Sequence, residues 1–569
     1  MSTPVYVLGT GLSHDGSSCL LKDGEVVVAV EKERLSRIKH DGGNDLQTVK
    51  YCLDAAGITI DEVAVIVQCA NFEKNEIEKH RYKGTRFFSK DIAVPFVTIS
   101  HHLAHAYSAI GTCPFGNCNV MVIDGCGSFY HQCDDLQNAF IPSSVNSEPG
   151  LYGEKDSFYF YNGKQLHPLY KDFSIINYFQ KPGQVYLPTS NHSIGGLYSM
   201  AANYCFGSFD DAGKLMGLAP YGNKNVYTEQ LFILNDGQVW VNEEIMFTYF
   251  TQPADEVCRP LKNHFQYYAD IARWVQDETE RAVLYLFAER QKIHPHNNWC
   301  YAGGVALNAV ANAKLLTETG IKNLYIEPAA GDNGLAIGCA YYGWLQVLQK
   351  EKVKHNGHTF FGKKYSAADI KAAIEDYEQK HTDRKINFLF DDDYINKAAA
   401  FLKEDKTIGW FQLGSEFGPR ALGRRSILAN PSIKNIQQHI NANIKSREDF
   451  RPFAPAVLYD EKDLYFQYGF ESPYMILIDS IKPAWKDAMP GIVHVDGTCR
   501  VQTVRDTNEP FYKLLQAWKN ISGHSVLLNT SFNRKAMPIV ETPQDAIAFF
   551  YECALDALLI DNCIITKND

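Results

Sequence analysis

The hydrophobic positions of this chain fall into sharply bounded runs. Val5-Tyr6-Val7-Leu8 closes on Gly9-Thr10-Gly11, and Val120-Met121-Val122-Ile123 closes on Asp124-Gly125-Cys126-Gly127-Ser128. A short continuous apolar run ending in glycines predicts a strand buried on both faces and then a tight turn. A hairpin pattern follows each run. Lys22-Asp23-Gly24-Glu25 separates Cys19-Leu20-Leu21 from the valine run at 26–30, and Tyr161-Asn162-Gly163-Lys164 follows Phe158-Tyr159-Phe160. Asp-Gly and Asn-Gly predict two-residue turns with positive φ at both central positions. The second copy carries an insertion near 131–157. Further along, 267–292 predicts a long amphipathic helix. Tyr301–Asn308 reads as strand, glycine turn and helix start, and 333–350 reads as another helix. A polar stretch at 350–364 reads as a linker before a helix near 367–380, and a separate α/β unit starts near Ile386.

These runs predict an α/β fold with a first domain at 1–352, a linker and connecting helix at 353–383, and a second domain at 384–569. Strand, glycine turn and hairpin used twice is the plan of the duplicated actin/sugar-kinase fold, whose two glycine turns face a phosphate-binding cleft.

Composition narrows the class. With 45% hydrophobic and 21% charged residues in 569, each domain has enough apolar mass for a core. The net charge of −11 lies mostly on the N-terminal part and weighs against nucleic-acid binding. The 14 cysteines show no paired C-x-x-C spacing, which reads as reduced thiols in a cytoplasmic protein. No apolar run reaches membrane-span length, and the N-terminus has no secretory pattern. There is no G-x-x-x-x-G-K-[ST] loop and no G-x-S-x-G elbow.

The candidate chemistry lies at the turns. His101 and His105 are four apart, so a helix sets both on one face. With Asp124 and Asp332, each at a strand-end turn, they make a mixed N/O donor set suited to Fe(II), Mn(II) or Zn(II). His14 stands on the first glycine turn as a candidate general base. Glu31, Glu33 and Arg34 follow the next strand, placed to meet an acceptor or to start a solvated helix. In the C-terminal part, Arg420, Arg451 and Arg500 sit among Gly, Pro and apolar residues, where a guanidinium needs an anion. Arg424 and Arg425 read as structural ion pairs. Asn529-Thr530-Ser531-Phe532-Asn533 adds small polar donors.

Seven motifs in order then resemble one family, the O-carbamoyltransferases of the nodulation-factor, cephamycin and nebramycin type. They are Gly11–Ser18 with His14, Ala29–His40, His101-His102-Leu103-Ala104-His105-Ala106, Gly213–Gly222, Gly303–Asn308, Gly418–Gly423 and Arg451–Pro455. The resemblance implies an N-terminal threonylcarbamoyl-transfer-like domain and a C-terminal threonylcarbamoyl-adenylate-synthase-like domain. It implies that carbamoyl phosphate and ATP with Mg²⁺ give a carbamoyl adenylate in the second domain. The first domain then passes the carbamoyl group to a hydroxyl of a small-molecule natural product. By position it assigns Arg420, Lys445, Arg451, Met475, Arg500 and Asn529 to carbamoyl phosphate and nucleotide. It makes His101, His105, Asp124 and Asp332 the ligands of one divalent metal, Fe(II) favoured, and His14 the base. Gly125, Gly127, Gly303, Gly304 and Asn308 are expected at the adenylate. Glu31, Glu33, Arg34 and His192 are candidates for the acceptor, with the 131–190 segment. No nucleic acid or membrane is expected as partner, and a homodimer is a candidate assembly. The alternative is tRNA threonylcarbamoylation, against which the acidic charge weighs. Cys126, beside the expected metal, departs from the pattern; an inert buried thiol is the plainer expectation.

Overall fold

A computed structural model describes residues 3–69, 85–89, 92–145, 151–176, 189–250 and 261–567. The chain forms two compact units. One comprises 1–32 and 40–357, the other 33–39 and 358–569.

The first unit contains two five-stranded sheets of the same topology. In one, Tyr6–Gly11 pairs antiparallel with Ser17–Lys22, which pairs antiparallel with Glu25–Glu31. On its other side Tyr6–Gly11 runs parallel to Val63–Cys69, and that strand to Phe96–Ile99. In the other, Cys118–Ile123, Tyr152–Tyr161 and Leu166–Ile175 form the meander, and Asn298–Ala302 and Asn323–Ile326 add the parallel strands. The repeat legible in the sequence is thus a repeat of the whole sheet, as the duplicated fold requires. Two helices fill the space between. Leu335–Tyr342 packs on the first sheet, His101–Thr112 on the second, and the two pack on each other. Gly338 allows this approach, since a Cβ there would lie 1.8 Å from the Ala104 carbonyl oxygen. Every residue of His101–Thr112 is buried, so its three histidines enter the core rather than solvent.

The first hairpin turn has φ of 53° at Asp23 and 89° at Gly24, as expected. The second differs, because only Gly163 has positive φ. The Asn162 side-chain oxygen instead accepts from the Lys164 and Gln165 N–H groups at 2.9 Å each and closes a wider turn. The 267–292 helix spans Phe265–Ile293. The helix expected over 333–350 is shorter, Leu335–Tyr342, and widens into a π-turn at Gly343–Val347.

The second unit is an eight-stranded mixed sheet between two helical layers. Ala367–Lys380 and Pro543–Glu552 cover one face, where Ile427 and Ala429 point. Tyr394–Lys403 and Glu509–Ser522 cover the other, where Leu428 points. The helix expected as a connector is therefore part of this unit. Ile370, Ala373, Ile374 and Tyr377, at i, i+3, i+4 and i+7, bury against its sheet. The unit also takes in Glu33–Lys39, where Arg34 donates to the Gly418 carbonyl at 2.7 Å and Arg37 to that of Ile539 at 2.7 Å.

Candidate functional site

In the first unit the turn after Cys118–Ile123 meets the start of the His101–Thr112 helix. Asp124 is held from two sides. Its Oδ1 accepts from the Gly304 N–H at 2.7 Å, and its Oδ2 lies 2.9 Å from His101 Nε2. His105 Nε2 is 3.1 Å from His101 Nε2 and 3.6 Å from Asp124. Asp332 Oδ1 lies 3.3 Å and 3.8 Å from the two imidazole nitrogens. The four donor atoms fall within 4.8 Å of one another. Ligands bound at about 2.1 Å stand about 3.0–3.4 Å apart around an octahedral or tetrahedral ion, so the expected donor set fits one divalent metal. Without an ion, burial works against charge on His101, yet Asp332 and Asp124 push its pKa well up, and both carboxylates are pushed down. Two imidazole nitrogens at 3.1 Å have one proton to share between them, and a cation satisfies both.

Glu154, which the sequence did not mark, fixes this turn. Its Oε2 accepts from the N–H groups of Ser128 at 2.9 Å and His102 at 3.2 Å, while Lys171 holds its Oε1 at 2.6 Å. Of the four expected adenylate glycines, two face open space or the metal ligands. A Cβ on Gly125 would touch nothing, and one on Gly304 would meet only Asp124 Oδ1, at 2.9 Å. Gly127 and Gly303 are closed instead, by Glu154 and His102 and by the Ile123 backbone. Asn308 is a helix cap, accepting from the Ala311 N–H and exchanging hydrogen bonds with Gln276. Gly304→Ala is expected to displace Asp124 and weaken divalent-metal affinity about 10–100-fold. Competition with a chelator measures it, and unchanged affinity would place Asp124 outside the ligand set.

His14 is half exposed. Its Nδ1 lies 3.3 Å from Asp15 and its Nε2 3.2 Å from Asp210, a partner the sequence did not suggest. The Asp15 and Asp210 hydrogen bonds push its pKa to about 11 against the opposing effect of burial. Both carboxylates favour the protonated ring, so the neutral ring that a base needs gains weight as pH rises. His40 Nδ1 completes the group, 2.8 Å from Asp15.

The acceptor candidates separate. Glu31 is buried and accepts from Asn333, next to Asp332, at 2.6 Å. Glu33 pairs with Lys39 at 2.7 Å, and Arg34 is engaged within the second unit. His192 has both ring nitrogens bound internally, to Ser174 at 2.9 Å and the Glu154 carbonyl at 3.1 Å, and burial lowers its pKa to about 4. It has no nitrogen left for an acceptor, which corrects that expectation. Of the 131–190 segment, 146–150 and 177–188 lie outside the described residues, and the rest includes the strands Tyr152–Tyr161 and Leu166–Ile175. Burial pushes the Cys126 thiol up, the inert condition expected of it.

Glu327, just beyond the Asn323–Ile326 strand, is buried, and burial raises its pKa to about 8. A carboxyl whose pKa rises on folding adds stability below its unfolded pKa of about 4.5 and loses it as pH climbs through 8. Glu327→Gln is expected to flatten the loss of stability between these pH values. The effect is on the order of 3–5 kcal/mol by pH 8 and is readable in urea melts. Parallel pH profiles for both proteins would contradict it.

The second unit gathers cations. Burial first, then Arg420, Arg447 and Arg451, push Arg500 well below its usual pKa. Arg420 falls to about 10 through burial and Arg451, and Arg447 to about 9 in the same way. The Nε atoms of Arg420 and Arg500 are buried without a hydrogen-bond partner among the described residues. Lys445 is buried on three neutral oxygens, the Ser531 carbonyl and hydroxyl and the Asn533 side chain. Asn529 donates to Gln502 at 2.8 Å and keeps a buried Oδ1 with no hydrogen-bond partner among the described residues. Met475 is buried at φ 57°, a left-handed backbone that a side chain rarely adopts. Arg447 belongs to the cluster as well. Arg425 is structural as expected, but through the Gln412 and Leu413 carbonyls and the Phe411 ring rather than a carboxylate.

A carbamoyltransferase N-terminal family model matches residues 7–85 and 60–341, and a carbamoyltransferase C-terminal model matches 399–567. The chain belongs to the carbamoyltransferase family. It is an enzyme of carbamoyl transfer. An uncharacterized Synechocystis protein is 32% identical over 99% of this chain and 97% of its own. Nodulation protein NolNO of Sinorhizobium fredii is 29% identical over 97% of this chain and 79% of its own. Among solved structures, full-length HypF in a phosphate- and nucleotide-bound form overlaps 59% of this carbamoyltransferase and 55% of its own chain, at 11% identity and a TM-score of 0.34. No helix among the described residues of the carbamoyltransferase is long and apolar enough to cross a membrane.

Proposed function

We propose that this carbamoyltransferase activates its donor in the second unit and transfers it in the first, by way of a carbamoyl adenylate. The observation that carries this reading is the crowd of cations at Arg420, Arg447 and Arg500 around Arg451, where burial first and then the neighbouring guanidinium charges lower the pKa values of Arg420, Arg447 and Arg500. Such a cluster is stable only against several negative charges, as carbamoyl phosphate and ATP together supply. Carbamoyl phosphate gives up its phosphoryl group to water, leaving carbamate. A carbamate oxygen attacks the α-phosphorus of ATP, a new P–O bond forms, and pyrophosphate leaves. The arginines bind both anions and stabilise the charge that grows on the leaving groups.

In the first unit, His101, His105, Asp124 and Asp332 would hold a divalent ion, which supplies a Lewis acid to the adenylate phosphate and carbamoyl carbonyl. Gly125 leaves the backbone open to that ligand. The acceptor hydroxyl attacks the carbamoyl carbon, the bond to AMP breaks, and the hydroxyl proton passes to neutral His14 at Nε2. Asp15 on Nδ1 fixes the ring, and Asp210 favours the imidazolium that forms. The acceptor is a hydroxyl-bearing small molecule.

Carbamoyl phosphate labelled at carbon tests the route. With ATP and no acceptor, label is expected in a species that also carries AMP. Label that reaches an acceptor without ATP would establish direct transfer instead.

A further inference from the structure

The far end of the helix that carries His101 and His105 holds a second cluster of ligating atoms. Cys113 caps that helix, its N–H bonded to the Ala109 carbonyl at 3.0 Å. Cys118 opens the strand that Asp124 closes, and Cys300 lies within the neighbouring parallel strand. The three sulfurs lie within 4.8 Å of one another, with Cys118 and Cys300 3.5 Å apart. None of the three residues is more than 1% exposed. Thiolates at about 2.3 Å from a tetrahedral cation stand about 3.8 Å apart, so the cluster has the dimensions of a three-thiolate site.

A second observation separates it from an ordinary group of core thiols. Lys352 gives two hydrogens to the Cys113 and Phe115 carbonyls, at 2.8 and 3.2 Å, and aims a third at Cys113 Sγ from 3.3 Å. An ammonium directed at sulfur in a buried place stabilises negative charge there. Three thiolates and one ammonium leave two negative charges, which a divalent cation cancels. The Cys113 thiol also meets the Ile110 carbonyl at 3.5 Å.

We propose that Cys113, Cys118 and Cys300 form a second metal site, for a thiophilic divalent cation of the Zn(II) class, with Lys352 as its counter-charge. Each sulfur–metal bond replaces an S–H bond, and the protons go to solvent. Along the helix, Cys113 lies about 12 Å from His105 and about 18 Å from His101 at 1.5 Å per residue. The site's ligands join one helix end to two strands, so its role is to tie the second sheet to the helix that presents the histidines. Soft sulfur donors there and hard mixed donors at the other end select different ions.

Cadmium reads this site directly, since only thiolate ligation gives the sulfur-to-cadmium charge-transfer band. The reduced full-length protein is titrated with Cd²⁺, both as folded and after refolding in its presence. One equivalent is expected to saturate the band. The band is expected to be lost in Cys300→Ser and in Cys118→Ser, and kept in a His101→Ala/Asp124→Ala protein. No band in either preparation, or a band that survives both serine variants, overturns the proposal. Should the serine variants not fold, alkylation of the unaltered protein decides. Cd²⁺ is expected to protect Cys113, Cys118 and Cys300 together, and unprotected modification of all three overturns the site.

Discussion

Arg500→Met is expected to cut adenylate formation about 10²–10³-fold while leaving the protein at least as stable as before. Free, the enzyme holds Arg500 against burial and against Arg420, Arg447 and Arg451. Replacing a crowded guanidinium by an apolar chain of similar reach removes that repulsion, worth about 1–4 kcal/mol in comparable cores. The substrate-bound state loses a charge-assisted bond to a phosphate. Its kcat/KM for carbamoyl phosphate is expected to fall about 10²–10³-fold, some 3–4 kcal/mol of transition-state binding. Steady-state kinetics and a thermal melt read the two effects separately. A protein that loses activity only because it has unfolded would show a lowered Tm instead, and normal adenylate formation would remove Arg500 from the anion site.

His14→Ala is expected to keep adenylate formation and to lose transfer about 10²–10⁴-fold, the usual contribution of a positioned base. Equal loss of both half-reactions would sink that role. The pH profile adds a test that a purely structural histidine would not meet. Hydrogen bonds to Asp15 and Asp210 raise the pKa of His14 to about 11. Only the neutral ring takes a proton, so transfer is expected to rise with pH through the neutral range. Asp210→Asn removes one of the carboxylates that favour the imidazolium. The pKa then falls, and the rising limb moves to lower pH. A limb that stays in place contradicts His14 as the group that titrates.

The sequence carried the duplicated sheet because each copy announces itself locally, by an apolar run ending in glycines and then a turn pair. It carried the cluster of His101, His105, Asp124 and Asp332 because a four-residue helical spacing and two strand-end aspartates are local signals too. Asp210, Glu154 and Asn333 were not legible. Their partners are His14, Ser128 and Glu31, far away along the chain, and an isolated acid or amide has no periodicity to betray it. His192 misled because a buried imidazole serving a serine and a carbonyl looks, in sequence, like one serving a substrate. The Asn162-Gly163 pair promised a two-residue turn, and the Asn162 side chain closed a longer one.

The most direct test of the two-step account is pyrophosphate release by the purified protein with ATP and Mg²⁺, with and without carbamoyl phosphate. The account expects release that depends on carbamoyl phosphate, persists without any acceptor hydroxyl, and falls about 10²–10³-fold in Arg500→Met. Release that ignores carbamoyl phosphate and responds instead to bicarbonate and threonine would contradict it.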